Sequence, residues 1–587
     1  MTDLNQRSER RRRAMFATLA VAVTLVVVIS EITWIRLDTR LQPVIDEWIE
    51  KSLNLADGLA SARPVEVWRH IYWASIGPRF PLYPLLAVPT LWFVERSVDA
   101  ILLVNCASLF VLAHATYRLA TRILDARAGF LATALVLLYP ATTTLMKLAR
   151  PHALIPATVA LSLLALYELA FSPPSHRRVW FAAFTIVAVF ASHAAGLATL
   201  YGAFLIATLL FAEQLASDVN RDASTRASFH QKATRAFASP ILLHSALPAV
   251  LVVGIVIGGW LYLKWDQYLG MMTVIREIFR PMSPEWHYET TVGAALGGPS
   301  FVLFVCAICG LVVVRPKLQY VTKQGLAFVA ASLVSAFVFS HFQTSAKSWQ
   351  SFAGVLSMFA VLTAVASIGL LDCLSRQGCS PVRNGFWSIA TIGVVTATAG
   401  LTYATLNWGS DELPKHLTTI TGIRPTCHMH SEMACANPPV GGDWFVNEAL
   451  AIMISDPRCK SATCDIAVLG HRQSYFSDEA LAYSVVLGFP LESRLVSRKF
   501  YPERNLRFKR VMGDVSDAWR QIAGSQYVLI LENDMPERFE YANNSVAGER
   551  AIAEAMLRNG TTQIGSFSEV FRRKIPTGES LVVVSRN

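Results

Sequence analysis

Residues 14–36 read AMFATLAVAVTLVVVISEITWIR, a membrane-length apolar run broken by one acid, Glu31, before its closing Arg36. A helix of this length crosses a hydrocarbon core of roughly 30 Å. Arg10 to Arg13 precede it and no small-residue cleavage site follows, so it reads as a retained helix and not as a signal peptide. Similar runs recur at 98–121, 128–147, 152–172, 178–194, 196–213, 241–264, 292–314, 325–342, 351–372 and 386–407. Composition agrees: 53% of the 587 residues are hydrophobic and 16% charged, against about a quarter charged in soluble chains. The expectation is a polytopic α-helical membrane protein of about eleven spans.

Loop charge sets the orientation, because Lys and Arg gather on the cytoplasmic side. The basic N-terminus (1–13) and the loops at 122–127, 176–178, 221–235, 315–323 and 376–383 fall on one side if 178–213 forms two short helices turning at His193-Ala194-Ala195-Gly196. The first loop (37–97) and the tail (408–587) then lie outside, which fits a bacterial inner membrane with a periplasmic or extracellular tail. These loops account for most of the net charge of +10, which therefore carries no nucleic-acid implication.

The tail has a different character. Apolar runs at 465–470, 527–531 and 581–584 alternate with helical patterns at 443–455 and 547–558, which predicts a small extracytoplasmic α/β domain. Gly470-His471-Arg472 marks a turn or a ligand loop. Cys427, Cys435, Cys459 and Cys464 cluster here, as expected for two disulfides in an oxidising compartment. A zinc site with His428 and His430 is the rival, although the spacing fits no zinc-ribbon or finger pattern. The chain holds no GxGxxG, Walker or HExxH motif.

Two stretches of the first outer loop carry chemistry: Ile45-Asp46-Glu47-Trp48 and Gly77-Pro78-Arg79-Phe80-Pro81-Leu82-Tyr83-Pro84. Further on, Leu138-Tyr139-Pro140 closes one span and Ala149-Arg150-Pro151-His152-Ala153-Leu154 opens the next. An acidic pair after the first span, a proline-aromatic stretch and this order of later segments resemble the GT-C glycosyltransferases of the inner membrane. That group includes protein O-mannosyltransferases and the lipid A aminoarabinose transferase. The resemblance extends over residues 14–215, and beyond them chiefly in layout.

It implies an inverting transfer of a sugar from a polyprenyl phosphate to a lipid, glycan or protein acceptor outside the cytoplasm. An acceptor hydroxyl needs a base, a role that falls to Asp46, with Glu47 as helper, metal ligand or orienting group. Cations stabilise the leaving phosphate. The candidates are Arg79, Arg150, His152 and Lys347, with Lys147 behind them, while Trp48 and Tyr83 are candidate substrate contacts. A divalent metal ion is left open as a cofactor. So is the choice of base, because Asp38 lies nearer the membrane.

Bland readings stand beside these. Asp46 and Glu47 also suit the polar face of an interfacial helix over Pro43–Leu55. Arg79, Arg150 and Lys347 suit snorkelling interface anchors, and His193 and His341 structural positions near span ends. Phe80 departs from the family's first proline, and Ser192-His193 from its frequent Thr-Lys. A transporter or flippase of envelope glycolipids would need ionisable groups in several spans. Apart from Glu31, His114 and His244, the spans are nearly free of ionisable residues. A non-catalytic envelope-assembly protein acting through its tail is the third class.

Overall fold

The computed structural model describes residues 2–37, 46–61, 63–75, 79–94, 98–147, 150–218, 240–269, 292–293, 295–314, 318–343, 353–376, 381–400, 445–461, 464–469, 506–510, 519–520, 522–532, 552–558, 561–562, 565–574 and 580–587. Asp38, Lys347, Cys427, Cys435 and the 470–472 loop lie outside them, as does residue 43 at the start of the expected interfacial helix.

Helices dominate up to residue 399. In chain order they are α1 (Thr2–Leu37), α2 (Asp46–Ser61), α3 (Pro64–Trp73), α4 (Leu82–Phe93), α5 (Val98–Ile123), α6 (Ala126–Leu138), α7 (Pro140–Met146), α8 (Ile155–Phe171), α9 (His176–Ser192) and α10 (Ala194–Asp218). There follow α11 (Leu247–Leu263), α12 (Gly298–Val314), α13 (Tyr320–Gln343), α14 (Leu356–Arg376) and α15 (Pro381–Ala399). Among the described residues, five segments are long and apolar enough to cross a membrane: 6–36, 99–123, 151–171, 242–263 and 353–373. The pair α6 and α7, bent by 58°, makes a sixth if counted as one span. The bend falls at Tyr139-Pro140, where proline starts a new helix because its ring cannot continue the old one. Shorter apolar helices occupy 199–215, 298–312, 322–338 and 387–399. The expected eleven spans are therefore not all met by length and composition, but the chain is a multi-pass membrane protein.

The chain divides into two compact units. The first comprises Met1–Glu31, Ile71–Tyr83 and Val104–Pro425. In it α8 packs on α9 and α10, α10 on α13, and α14 on α6, α12 and α13. Small residues allow these approaches. A Cβ at Gly202 of α10 would fall 2.4 Å from Cβ of Ser335 in α13, and one at Gly129 of α6 would fall 2.9 Å from the Tyr117 carbonyl oxygen of α5. Close backbone approach through small residues is a common solution where lipid leaves no hydrophobic drive between helices. Arg127 adds a polar clamp, donating to Asp372 at 2.8 and 2.6 Å and to Asp125 at 2.7 Å. Glu31 is fully buried, near Cys106.

The second unit comprises Ile32–His70, Pro84–Leu103 and Thr426–Asn587. Helix α2 is amphipathic, as expected of that stretch: Trp48, Ile49, Ser52, Leu53 and Ala56 are buried while Asn54 is exposed. Arg36 pairs with Asp99 at 3.3 Å, and the Trp92 indole donates to the Ala56 carbonyl at 3.2 Å.

The tail is an α/β domain. Helices α16 (Val446–Ser455) and α17 (Pro457–Ser461) precede strands β1 (Cys464–Leu469), β2 (Leu506–Arg510), β3 (Tyr527–Glu532), β4 (Thr561–Thr562), β5 (Gly565–Lys574) and β6 (Ser580–Arg586). The sheet order is β2-β1-β3-β6-β5-β4, parallel among β2, β1 and β3 and antiparallel beyond. Successive strand residues face opposite sides, and both sides are covered. Ile466, Val468, Tyr527, Leu529, Leu581 and Val583 pack with α16. Ala467, Leu469, Val528, Ile530, Val582 and Val584 pack with Ile552 and Met556 of helical residues 552–558. This explains the unbroken apolar runs of the central strands. Cys459 and Cys464 form a disulfide, which replaces the zinc alternative at these two positions. Cys106, Cys306, Cys309 and Cys373 are free thiols.

Candidate active site

Within the first unit, a cluster forms where α7 gives way to α8. Asn105 donates from Nδ2 to the Met146 carbonyl at 2.9 Å. Ser108 Oγ lies 2.7 Å from the Asn105 carbonyl and 3.4 Å from that of Ala153. These bonds tie the short stretch between α7 and α8 to α5. Arg150 enters it with extended backbone, φ −138° and ψ 150°, because the ring of Pro151 disfavours the helical region for the residue before it. The Arg150 carbonyl then accepts from Ala153 N at 3.1 Å, opening the turn Pro151–Leu154 that leads into α8.

Arg150 is 6% exposed. The charges of Arg150 and Arg79 both act on the His152 ring, and Arg79 acts on His193 as well. His152 and His193 face each other with ring centroids 4.7 Å apart. His193 sits between α9 and α10, and its carbonyl accepts from Gly196 N at 2.9 Å. A side chain on Gly196 would press against Val189 at 2.7 Å, so the expected turn at 193–196 needs its glycine. Next to the two rings along the chain, Thr158 of α8 and Ser192 of α9 are hydrogen-bonded at 3.0 Å. Nδ1 of His152 is buried with no hydrogen-bond partner among the described residues. Helices α8 and α10 both begin at this cluster, so two helix N-termini add their partial positive charge to it.

The proline-aromatic stretch flanks the same unit. Phe80 packs edge-on against Trp260 of α11 at 4.7 Å, which gives the departing phenylalanine a packing role. Tyr83 is fully buried, with its hydroxyl hydrogen-bonded to the Asn105 side chain. Lys264, 2% exposed, donates to the Tyr72 carbonyl at 3.2 Å and lies 3.3 Å from the Tyr72 ring centroid. A lysine held over a ring in this way is stabilised by the ring's negative face.

The candidates read from the sequence thus separate into groups. Arg79, Arg150 and His152 are brought together, and Tyr83 joins their scaffold. Lys147 is buried at the C-terminal cap of α7. Asp46 and Glu47 open α2 in the other unit, where Trp48 is packed into the helix's buried face. His341 lies in α13. One member was missed: His193 reads as structural until the α9–α10 turn carries it to His152. His152 and His193 are the only donors of metal-binding type in the cluster, and no group of three His, Cys, Asp or Glu suited to a metal ion occurs among the described residues.

These features define a multi-pass membrane protein with a buried cationic cluster at the mouth of its helices. No protein-family model matches the chain, and no curated relative does. It is similar in structure to ArnT from Cupriavidus metallidurans bound to undecaprenyl phosphate, with 13% identity and a TM-score of 0.46 over 97% of each chain. Its similarity to the same protein in the apo state has a TM-score of 0.48, again at 13% identity, over 97% of this chain and 98% of the other. The archaeal oligosaccharyltransferase AglB from Archaeoglobus fulgidus, in complex with an inhibitory peptide and a dolichol-phosphate, is also similar. There the identity is 13% and the TM-score 0.46, over 96% of this chain and 74% of that one.

Proposed function

We propose that the chain is an inverting glycosyltransferase that takes a sugar from a polyprenyl phosphate and passes it to an acceptor hydroxyl on the outer face of the membrane. The observation that carries this reading is the cluster of Arg150, Arg79, His152 and His193 at two helix N-termini. A buried arginine next to helix N-termini suits a phosphate, because its planar fork offers two donors and the amide dipoles add to its charge.

In the reaction, the bond from the anomeric carbon to the phosphate oxygen breaks as the acceptor oxygen attacks from the opposite face. The leaving phosphate gains charge, and the guanidinium groups of Arg150 and Arg79 stabilise it. Asp46 takes the acceptor proton as the new bond forms. Glu47 orients the acceptor, and Lys347 supplies a further cation. His152 donates one hydrogen bond to the phosphate. No step is assigned to a metal ion.

The test is transfer of radiolabel from a polyprenyl-phosphate sugar into an envelope extract by the purified protein, with Asp46→Asn and Asp38→Asn compared. Loss of a general base lowers the rate by about 10²-fold or more, so Asp46→Asn should fall by that factor and Asp38→Asn should stay near wild type. Full activity in a folded Asp46→Asn variant would remove Asp46 from the mechanism, and no transfer by the wild type would remove the reaction.

A further inference from the structure

A second cationic feature lies at the other end of the same helices. From Ile155 to Glu168 the chain runs along α8, about 20 Å at 1.5 Å per residue, and α9 returns antiparallel from His176 to Ser192. Where α8 ends and α9 begins, α5 joins them around a cavity of about 500 Å³. Arg118 and Arg122 enter from α5, one helical turn apart on the same face as His114, and Arg177 and Arg178 from the first turn of α9. Glu168 supplies the lone carboxylate of the lining, 3.6 Å from Arg122. Arg118 and Arg177 make no ion pair with any described residue. Four guanidinium groups against one carboxylate leave the cavity strongly positive.

Loop charge alone accounts for arginines near this end of a span, but not for their convergence from two helices on a cavity of ligand size. Its other wall is apolar, formed by Leu164 and Phe181. Beside it on α9, Trp180 is 40% and Phe184 67% exposed, in the position where acyl chains would run away from a bound headgroup. A free anion would need no such wall. We propose that this cavity seats the phosphate headgroup of an anionic membrane phospholipid, in the leaflet opposite the candidate active site. Arg118 and Arg177 bind the phosphate oxygens, and Arg122 remains shared with Glu168. The site is independent of the proposed transfer reaction.

Native mass spectrometry of the full-length protein tests this. Delipidated protein is given phosphatidylglycerol or phosphatidylcholine, with and without excess inorganic phosphate. The wild type should retain phosphatidylglycerol selectively, and inorganic phosphate should not displace it. The paired Arg118→Gln and Arg177→Gln substitution should lower retention about tenfold, since charge-assisted bonds to phosphate are lost. The single Arg177→Gln change should give a smaller loss, and Arg558→Gln in the tail none. Equal retention of the two lipids by the wild type would overturn the proposal even if the paired variant failed to fold. Undiminished retention in a folded paired variant would also overturn it, and full displacement by phosphate would make the site one for a free anion.

Discussion

At the scale of single residues, Asp456 in the tail shows how local bonds set a titration. Arg458 donates to its Oδ2 from Nε at 2.9 Å and Nη2 at 2.7 Å, and Arg458 N donates to Oδ1 at 2.8 Å. The Tyr527 hydroxyl also donates to Oδ2. The Arg458 bonds above all hold the carboxyl well below its ordinary value of 3.8, against a smaller opposing effect of burial. A depressed folded value means that the stabilisation is fully present above about pH 4 and is lost as pH falls through the lower folded value. Asp456→Asn should therefore lower the melting temperature at neutral pH and flatten its acid limb, read by differential scanning fluorimetry of the full chain between about pH 2 and pH 6. An unchanged acid limb would mean that the bonds contribute nothing. Residues of this kind are barely legible in sequence. Arg458 follows Asp456 closely and suggests a local pair, but Tyr527 arrives only through the sheet. The same holds at the cationic cluster: Arg150 and His152 flank one proline and can be read together, whereas His193 depends on the α8–α9 pairing.

At the scale of elements, the helices were the most legible part, because a membrane-length apolar run states its own structure. The strands at 464–469, 527–532 and 580–586 were legible for a similar reason, being apolar on both faces. Strand β5 was not. Its SFSEVFRRK sequence is exposed over most of its length, so neither a continuous run nor a clean alternation marks it. Helix contacts were also hidden, since a glycine reads alike whether it faces lipid or a neighbouring helix. Gly202 faces Ser335, while Gly254 and Gly258 of α11 have nothing within 4 Å of a built Cβ. Gly202→Val should force α10 and α13 apart and cost about 1–3 kcal/mol, while Gly254→Val should cost far less. Unfolding of both variants in detergent compares them directly, and equal losses would show that the α10–α13 approach carries no special packing.

At the scale of the whole molecule, two cationic sites lie at opposite ends of the α8–α9 hairpin. One is built from a buried arginine and two imidazoles at helix starts, the other from arginines around an open cavity. Composition and loop charge gave the membrane class and the expected orientation, but the sequence order of motifs could not say that residues near 79, 150, 152 and 193 share one place. The central claim is that this place holds a lipid phosphate. Binding of a polyprenyl monophosphate to the purified protein in nanodiscs, wild type against Arg150→Gln, tests it most directly. Removing a charged donor from a buried phosphate costs about 1.5–3 kcal/mol, so the account predicts a Kd raised roughly 10- to 100-fold in a folded variant. Equal affinity of the folded variant and the wild type would contradict it.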